Sequence, residues 1–340
     1  MPGDLNAIWF VLVGVLIAGY AVLDGFDLGV GILHPFVEGD TDRRISLNSI
    51  GPVWDGNEVW LVTAGGALFA AFPEVYATAF SGFYTAFMLL LATLIFRAVA
   101  IEFRSKHASS RWRTTWDRLF FAGSFGATLL LGVAFGNVVA GVPLDSDRNM
   151  TAGLLDLLHP YALLVGITTV TLFALHGAIY LALKTEGTLQ ARVRTWVRPL
   201  TVTFVLAYAI TTLATLLFHP HMVERIRHQP VWFGLVVASV LVIANIPREI
   251  FHGREFRAFL SSSSAIVLLL ALAGVGLYPT LLRSVPHVER SLTIYNAASS
   301  ETTLGIMLVI AIIGVPVVLT YTTVIYWIFR GKVKLGAHSY

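Results

Sequence analysis

The sequence predicts an all-α polytopic membrane protein with nine transmembrane helices, on three observations. The chain of 340 residues is 56% hydrophobic and only 13% charged. Its apolar residues fall in runs of roughly 17 to 30, long enough to cross a hydrocarbon core about 30 Å thick. The basic residues alternate along the chain: 18 of the 23 Lys and Arg fall in every second connection or at the C-terminus. Under the positive-inside rule that places those connections in the cytoplasm, with the N-terminus outside and the C-terminus inside. Eight or ten helices would destroy the alternation for part of the chain.

The first span covers residues 8–33. It follows Met-Pro-Gly-Asp-Leu-Asn, which lacks Lys and Arg, and no small-residue cleavage site follows, so it reads as a retained helix. The second and third, 53–72 and 76–101, are joined by Phe72-Pro73-Glu74, a tight helical hairpin. The remaining spans are 118–142, 154–183, 199–218, 231–247, 260–282 and 303–329. The seventh is at the short limit for a crossing, and the run Ser261–Ser264 lies at the start of the eighth as a capping segment. No connection is long enough for an extramembrane domain, so residues 1–340 read as one transmembrane domain acting within the bilayer or through a partner. A net charge of +3 distributed in this way argues for membrane orientation and against nucleic acid.

Ionisable groups inside the spans are the functional signal, because each is costly in lipid. Asp24 and Asp27 lie three apart in the inner half of the first helix and so share a face. Gly25, Gly29 and Gly31 around them let a second backbone approach closely. The second helix runs back from the same side and opens Trp54-Asp55-Gly56-Asn57-Glu58-Val59-Trp60. The third returns Arg97 and Glu102 to that level. Five acids and one arginine thus converge at the cytoplasmic side. Asp24 or Asp27 paired with Arg97 would serve equally as an interhelical tie. Asp55 reads as functional, whereas Trp60 reads as an interface anchor and Trp54 admits either role.

Other chemistries lack support. There is no Cys, which removes thiolate ligation of metal, haem or clusters. His176 is the sole mid-span histidine, so a bis-histidine haem lacks its second ligand at matching depth; the ring reads as a hydrogen-bonded packing residue. His219-Pro220-His221 has no carboxylate support as a metal pair. No phosphate-binding glycine loop or nucleophile triad is present.

At these residues the chain resembles subunit II of the cytochrome bd quinol oxidases of bacteria. The resemblance runs through Asp24-Gly25-Phe26-Asp27-Leu28-Gly29-Val30-Gly31, Asp42-Arg43-Arg44, Asn48-Ser49-Ile50 and Trp54–Leu61. It continues through Thr63–Ala71, Ala79–Tyr84, Phe96-Arg97, Arg104-Ser105-Lys106, Arg111-Trp112-Arg113, Gly132–Asn137, Gly141-Val142-Pro143, Ser291–Ser300 and Tyr326-Trp327. The resemblance implies two four-helix bundles plus a peripheral helix, in a bacterial plasma membrane. It implies no haem on this chain, and a partner, subunit I, that carries two b-type haems, haem d and the quinol site. Quinol oxidation there reduces dioxygen to water with protons drawn from the cytoplasm, generating a proton motive force without pumping. It assigns Asp55, beside Trp54, to a proton channel shared with subunit I, with Asp24, Asp27 and Arg97 nearby. Glu58 and His176 stand where some members carry Gln, and the connection between helices 6 and 7 is shorter than in some members, which bears on the docking of small accessory subunits. A structural quinone and the choice of ubiquinol or menaquinol stay open. Two alternatives of other kinds remain at this point: a secondary transporter with a carboxylate coupling site, and a purely structural assembly subunit.

Overall fold

A computed structural model describes residues 4–336. Twelve α-helices account for nearly all of it: α1 (Leu5–Leu33), α2 (Asp40–Ile50), α3 (Trp54–Ala71), α4 (Pro73–Gly82), α5 (Tyr84–Phe103), α6 (Ser110–Ala140), α7 (Pro160–Lys184), α8 (Gly187–Phe218), α9 (His221–His228), α10 (Phe233–Phe251), α11 (Glu255–Leu277) and α12 (Glu301–Ile328). The only strands among the described residues, β1 (Thr280–Leu282) and β2 (Leu292–Thr293), pair antiparallel before α12.

Eight of these helices are long and apolar enough to cross a membrane. The stretch expected as the second of nine, 53–72, is helical as α3, but it falls short of that mark because its first turns carry Asp55, Asn57 and Glu58. The single helix expected over 76–101 is two. It starts at Pro73, the favoured first helical position, and breaks at Phe83 after Ser81-Gly82, two weak helix formers. Other ends move outward where amphipathic turns extend an apolar run. In α8, Leu189, Val193 and Val197 recur every four residues and are buried, so the helix begins at Gly187 and passes through Pro199. Similarly, α6 starts at Ser110, ahead of the expected 118. By contrast α7 starts only at Pro160, where the His159 ring caps it by accepting from Ala162 N–H (3.3 Å). At the other end of α11 the chain leaves the helix after Leu277, and residues 280–282 become strand.

The central pair is α1 and α7. Around it pack α3, α6 and α11, with α5 on α6, α8 on α7 and α10 on α11. Two thirds of the apolar span of α7 is buried within this chain, whereas almost none of that of α12 is. The α1–α7 crossing is made by glycines: a Cβ placed on Gly29 would lie 1.9 Å from the Phe173 carbonyl oxygen, and one on Gly177 would lie 2.4 Å from the Gly29 carbonyl carbon. Backbones this close exclude any side chain. At the opposite end, Trp9 Nε1 donates to the Leu304 carbonyl (3.0 Å), and Ser299 N–H and Oγ donate to Ala71 and Ala70 (2.9 and 2.6 Å), tying α1 and α3 to the start of α12.

Candidate functional site

The lower halves of α1, α3 and α5 bring together most of the acids picked out in the sequence. Arg97 on α5 and Asp24 on α1 are both fully buried and form a bidentate pair, Nη1 to Oδ2 at 2.9 Å and Nη2 to Oδ1 at 2.7 Å. That geometry is the strongest available to a guanidinium and a carboxylate. Glu58 of α3 reaches the same guanidinium from the side, Oε1 at 3.3 Å from Nη2, and keeps 26% of its side chain exposed. Asp55, one turn earlier on α3, is exposed, and Trp54 beside it packs partly against the main core. Glu102 is half-buried at the end of α5, more than a turn beyond Arg97.

Asp27 is fully buried but takes no arginine. Its Oδ2 accepts from Asn57 Nδ2 at 2.7 Å. Asn57 is itself buried; its Nδ2 also donates to the Leu23 carbonyl (3.2 Å), and its Oδ1 accepts from the Tyr326 hydroxyl of α12 at 2.9 Å. Around this cluster, Tyr20 OH, Asp27 Oδ1, Glu58 Oε1 and Arg97 Nε are buried atoms without a hydrogen-bond partner among the described residues. Three carboxylates therefore surround one guanidinium in a low-dielectric setting, and only Asp24 is matched to it atom for atom.

Sequence reasoning did not single out Asn57 in its own right, Tyr326 or Tyr20. It also passed over a second cluster, in which Asp117 of α6 accepts from His34 Nε2 (2.7 Å), Arg43 Nη1 (2.9 Å) and Arg104 Nε (2.5 Å). Arg104 continues to Asp40 (2.9 Å), which also pairs with Arg113 (2.8 Å). The basic motifs Asp42-Arg43-Arg44 and Arg104-Ser105-Lys106 were visible, but Asp117 sat unmarked at a helix start. This second cluster ties α2 and the ends of α1 and α5 to α6. Trp60, expected as an interface anchor, lays its ring over Gly19 of α1, where a Cβ would come within 2.3 Å of it.

The ring nitrogens of His176 are both engaged within the fold. His176 Nε2 faces the Val22 carbonyl (3.0 Å) and Nδ1 faces the Ser262 hydroxyl (2.7 Å), while the ring stacks on Phe259 at 5.0 Å. A carbonyl only accepts, so Nε2 carries a proton there, and the ring offers no free nitrogen to an iron. His221 Nε2 lies 3.1 Å from the Val139 carbonyl. Burial moves His219 and His221 down from the ordinary histidine pKa, and the cationic neighbour Arg283 adds to it. Among the described residues no group of three or more His, Cys, Asp or Glu is placed to hold a metal ion.

Fold and site together define a polytopic membrane protein with a buried carboxylate–guanidinium cluster. The chain belongs to the family of cytochrome bd terminal oxidase subunit II, whose model matches residues 5–329. It is 38% identical to the cytochrome bd-I ubiquinol oxidase subunit 2 of Escherichia coli K12, over 97% of this chain and 95% of that one. It is 34% identical to the cytochrome bd ubiquinol oxidase subunit 2 of Bacillus subtilis 168, over 97% of each. A solved structure of the bd oxidase from Geobacillus thermodenitrificans shares the fold, with a TM-score of 0.80 over 96% of this chain and 98% of that one at 17% identity. The chain is thus a subunit of an oxygen-reducing oxidoreductase complex, and subunit II implies a complex with subunit I.

Proposed function

We propose that this chain is the haem-free half of a quinol oxidase heterodimer and carries protons from the cytoplasm toward the oxygen-reducing centre of its partner. The redox groups, two b-type haems and haem d, belong in this reading to subunit I, where quinol electrons and protons meet dioxygen and leave as water. All nine expected segments, α3 included, cross the bacterial plasma membrane with the N-terminus outside, as two four-helix bundles and a peripheral helix. Charge separation, without a pump, then sustains the proton motive force.

One observation carries the proposal: the carboxylates of α3 and α1 form a graded series from surface to interior. Asp55 is exposed, Glu58 is half-open at 26%, and Asp24 and Asp27 are fully buried. One helical turn, about 5 Å, separates the first two, a spacing that a single water can bridge. Arg97 lowers the cost of bringing negative charge inward, but one cation cannot balance three anions, so the cluster has room for a proton that is shared and not locked. Asp55 exchanges with cytoplasmic water, Glu58 stands between water and guanidinium, and Asp27 lies at the far end.

Asp55→Asn tests this. Quinol-driven oxygen uptake should fall at least severalfold while the haem spectrum of the assembled complex is unchanged. Full uptake with normal assembly would remove Asp55 from the pathway. Loss of the haems would favour the second reading, a subunit that only supports assembly. The bidentate Asp24–Arg97 pair is the observation on that side, since so tight a match suits a tie better than a relay.

A further inference from the structure

The inner end of α12 closes on the acidic cluster through one residue, and the chemistry of that contact has a fixed direction. The Leu23 carbonyl can only accept, so the Asn57 atom facing it at 3.2 Å is the amide nitrogen. The same nitrogen therefore gives its other hydrogen to Asp27 Oδ2 at 2.7 Å. The remaining Asn57 atom, Oδ1, only accepts, so the Tyr326 hydroxyl 2.9 Å away must donate to it. The chain Tyr326 to Asn57 to Asp27 is polarised in one sense throughout. Because Oδ2 already accepts from the Asn57 amide, the carbonyl role falls to Oδ2 and a proton on Asp27 is favoured on Oδ1, a buried atom without a partner among the described residues.

We propose that Tyr326 and Asn57 are positioning residues for proton transfer, which fix Oδ1 as the proton-exchanging atom of Asp27 and make the inner end of α12 part of the site. The inference rests on the proton-uptake reading above. Facing Asp27 are Asp24 of α1, Asn57 and Glu58 of α3, Arg97 of α5, Tyr180 of α7 and Tyr326 of α12. Arg97 is engaged with Asp24, and the Tyr180 hydroxyl donates to the Ser49 carbonyl at 2.8 Å, so neither is free to take over the role of Asn57.

The hold on Tyr326 is local. Since α12 buries almost none of its apolar span in this chain, its position depends on its ends. Just beyond Tyr326, Lys184 at the end of α7 donates to the Phe329 carbonyl. Lys332 returns the contact to the Leu183 carbonyl (2.9 Å), and Val333 N–H donates to the Lys184 carbonyl (2.9 Å). Each helix thus supplies the cap for the last carbonyls of the other, groups that would otherwise go unmet. The strap anchors α12 within a turn of the tyrosine.

The test uses the assembled oxidase. Tyr326→Phe removes one hydroxyl and should slow quinol-driven oxygen uptake roughly three- to tenfold, the rate equivalent of one net hydrogen bond. Its pH profile should be displaced and its solvent deuterium isotope effect enlarged, with KM for quinol and haem spectrum as in the parent. Asp27→Asn, run alongside, should be slower still, and adding Tyr326→Phe to it should cost nothing further. If Asp27→Asn slows uptake but Tyr326→Phe matches the parent in rate, pH profile and isotope effect, the positioning role falls and the proton-uptake reading stands. If both match the parent, that reading falls for this cluster as well. Additive losses in the double variant also overturn the inference. Should Tyr326→Phe fail to assemble, 3-fluorotyrosine at position 326 keeps size and contacts; a pH profile identical to the parent would then refute the role.

Discussion

Replacing Arg97 by Met keeps most of the length and apolar surface of the side chain but removes the one cation that three carboxylates share. Asp24, wholly buried, loses both partners of its bidentate pair, and Glu58 loses the guanidinium 3.3 Å away. Breaking a buried pair from one side costs about 3–5 kcal/mol, because the surviving charge is left without compensation. Near 4 kcal/mol that is about a thousandfold in the folded population. Asp24→Asn is a milder change. The Asn oxygen can still accept from one guanidinium nitrogen, and Glu58 remains as a counter-ion, so the loss is about 1.5–3 kcal/mol, that of a charge-assisted hydrogen bond. The double variant, Arg97→Met with Asp24→Leu, removes both charges of the pair and should recover part of the loss. The amount of this chain that co-purifies with subunit I after mild heating ranks the variants. The expected order is parent, Asp24→Asn, the double variant close behind, and Arg97→Met last. Asp24→Asn proving as damaging as Arg97→Met, or a double variant worse than Arg97→Met, would refute the charge accounting.

The other predictions concern the scaffold. Gly177→Ala puts a methyl 2.4 Å from the Gly29 carbonyl carbon and 2.5 Å from Val30 N, so α1 and α7 must separate. At least 1–3 kcal/mol should be lost, as for other overpacked cores, with a lower yield of intact complex, and Gly14→Ala, which meets nothing within 4 Å, serves as the control. Asp117→Ala strips His34, Arg43 and Arg104 of their common acceptor. The connection 34–44 should become sensitive to protease in membranes while the Arg97 cluster is intact, and unchanged cleavage would contradict the tie.

The acids were legible because their cost in lipid marks them out, and a spacing of three residues by itself puts Asp24 with Asp27, and Asp55 with Glu58, on a shared helix face. The close approach at Gly29 was legible for a similar reason: three glycines within seven residues of an apolar helix serve no other end. Asn57 and Tyr326 were not legible. Neither is charged, so neither raises the same alarm, and their contact spans 269 residues of sequence. Asn57 could have been suspected as a third polar group in the first turns of α3. The aromatic Tyr326 looks like any belt residue. Helix ends were misjudged wherever hydropathy alone set them, as at α6 and α8, because amphipathic turns continue a helix beyond its apolar run. The interruption at Phe83 follows from Ser81-Gly82 and was readable, but in a strongly apolar stretch the weaker local signal was passed over.

In the proposed function the structural and the proton-carrying roles of the cluster fall on different residues. A carboxylate that relays protons must change its charge, and a carboxylate held by both Nη atoms of a buried arginine resists that change. Asp24 meets the second description and is the tie. Glu58 touches the same guanidinium only from the flank and keeps contact with the surface, so it can gain or lose a proton at less cost. Asp27 is held by a neutral amide, which tolerates either state of the carboxyl as long as Oδ2 accepts. On the proposed reading the arginine does two things at once: it fastens α5 to α1 through Asp24, and it leaves a half-compensated field in which the two remaining acids would exchange a proton. A single cation among three acids would be a poor design for stability alone, where one matched pair suffices. It is the surplus of carboxylates, not the pair, that points to proton traffic.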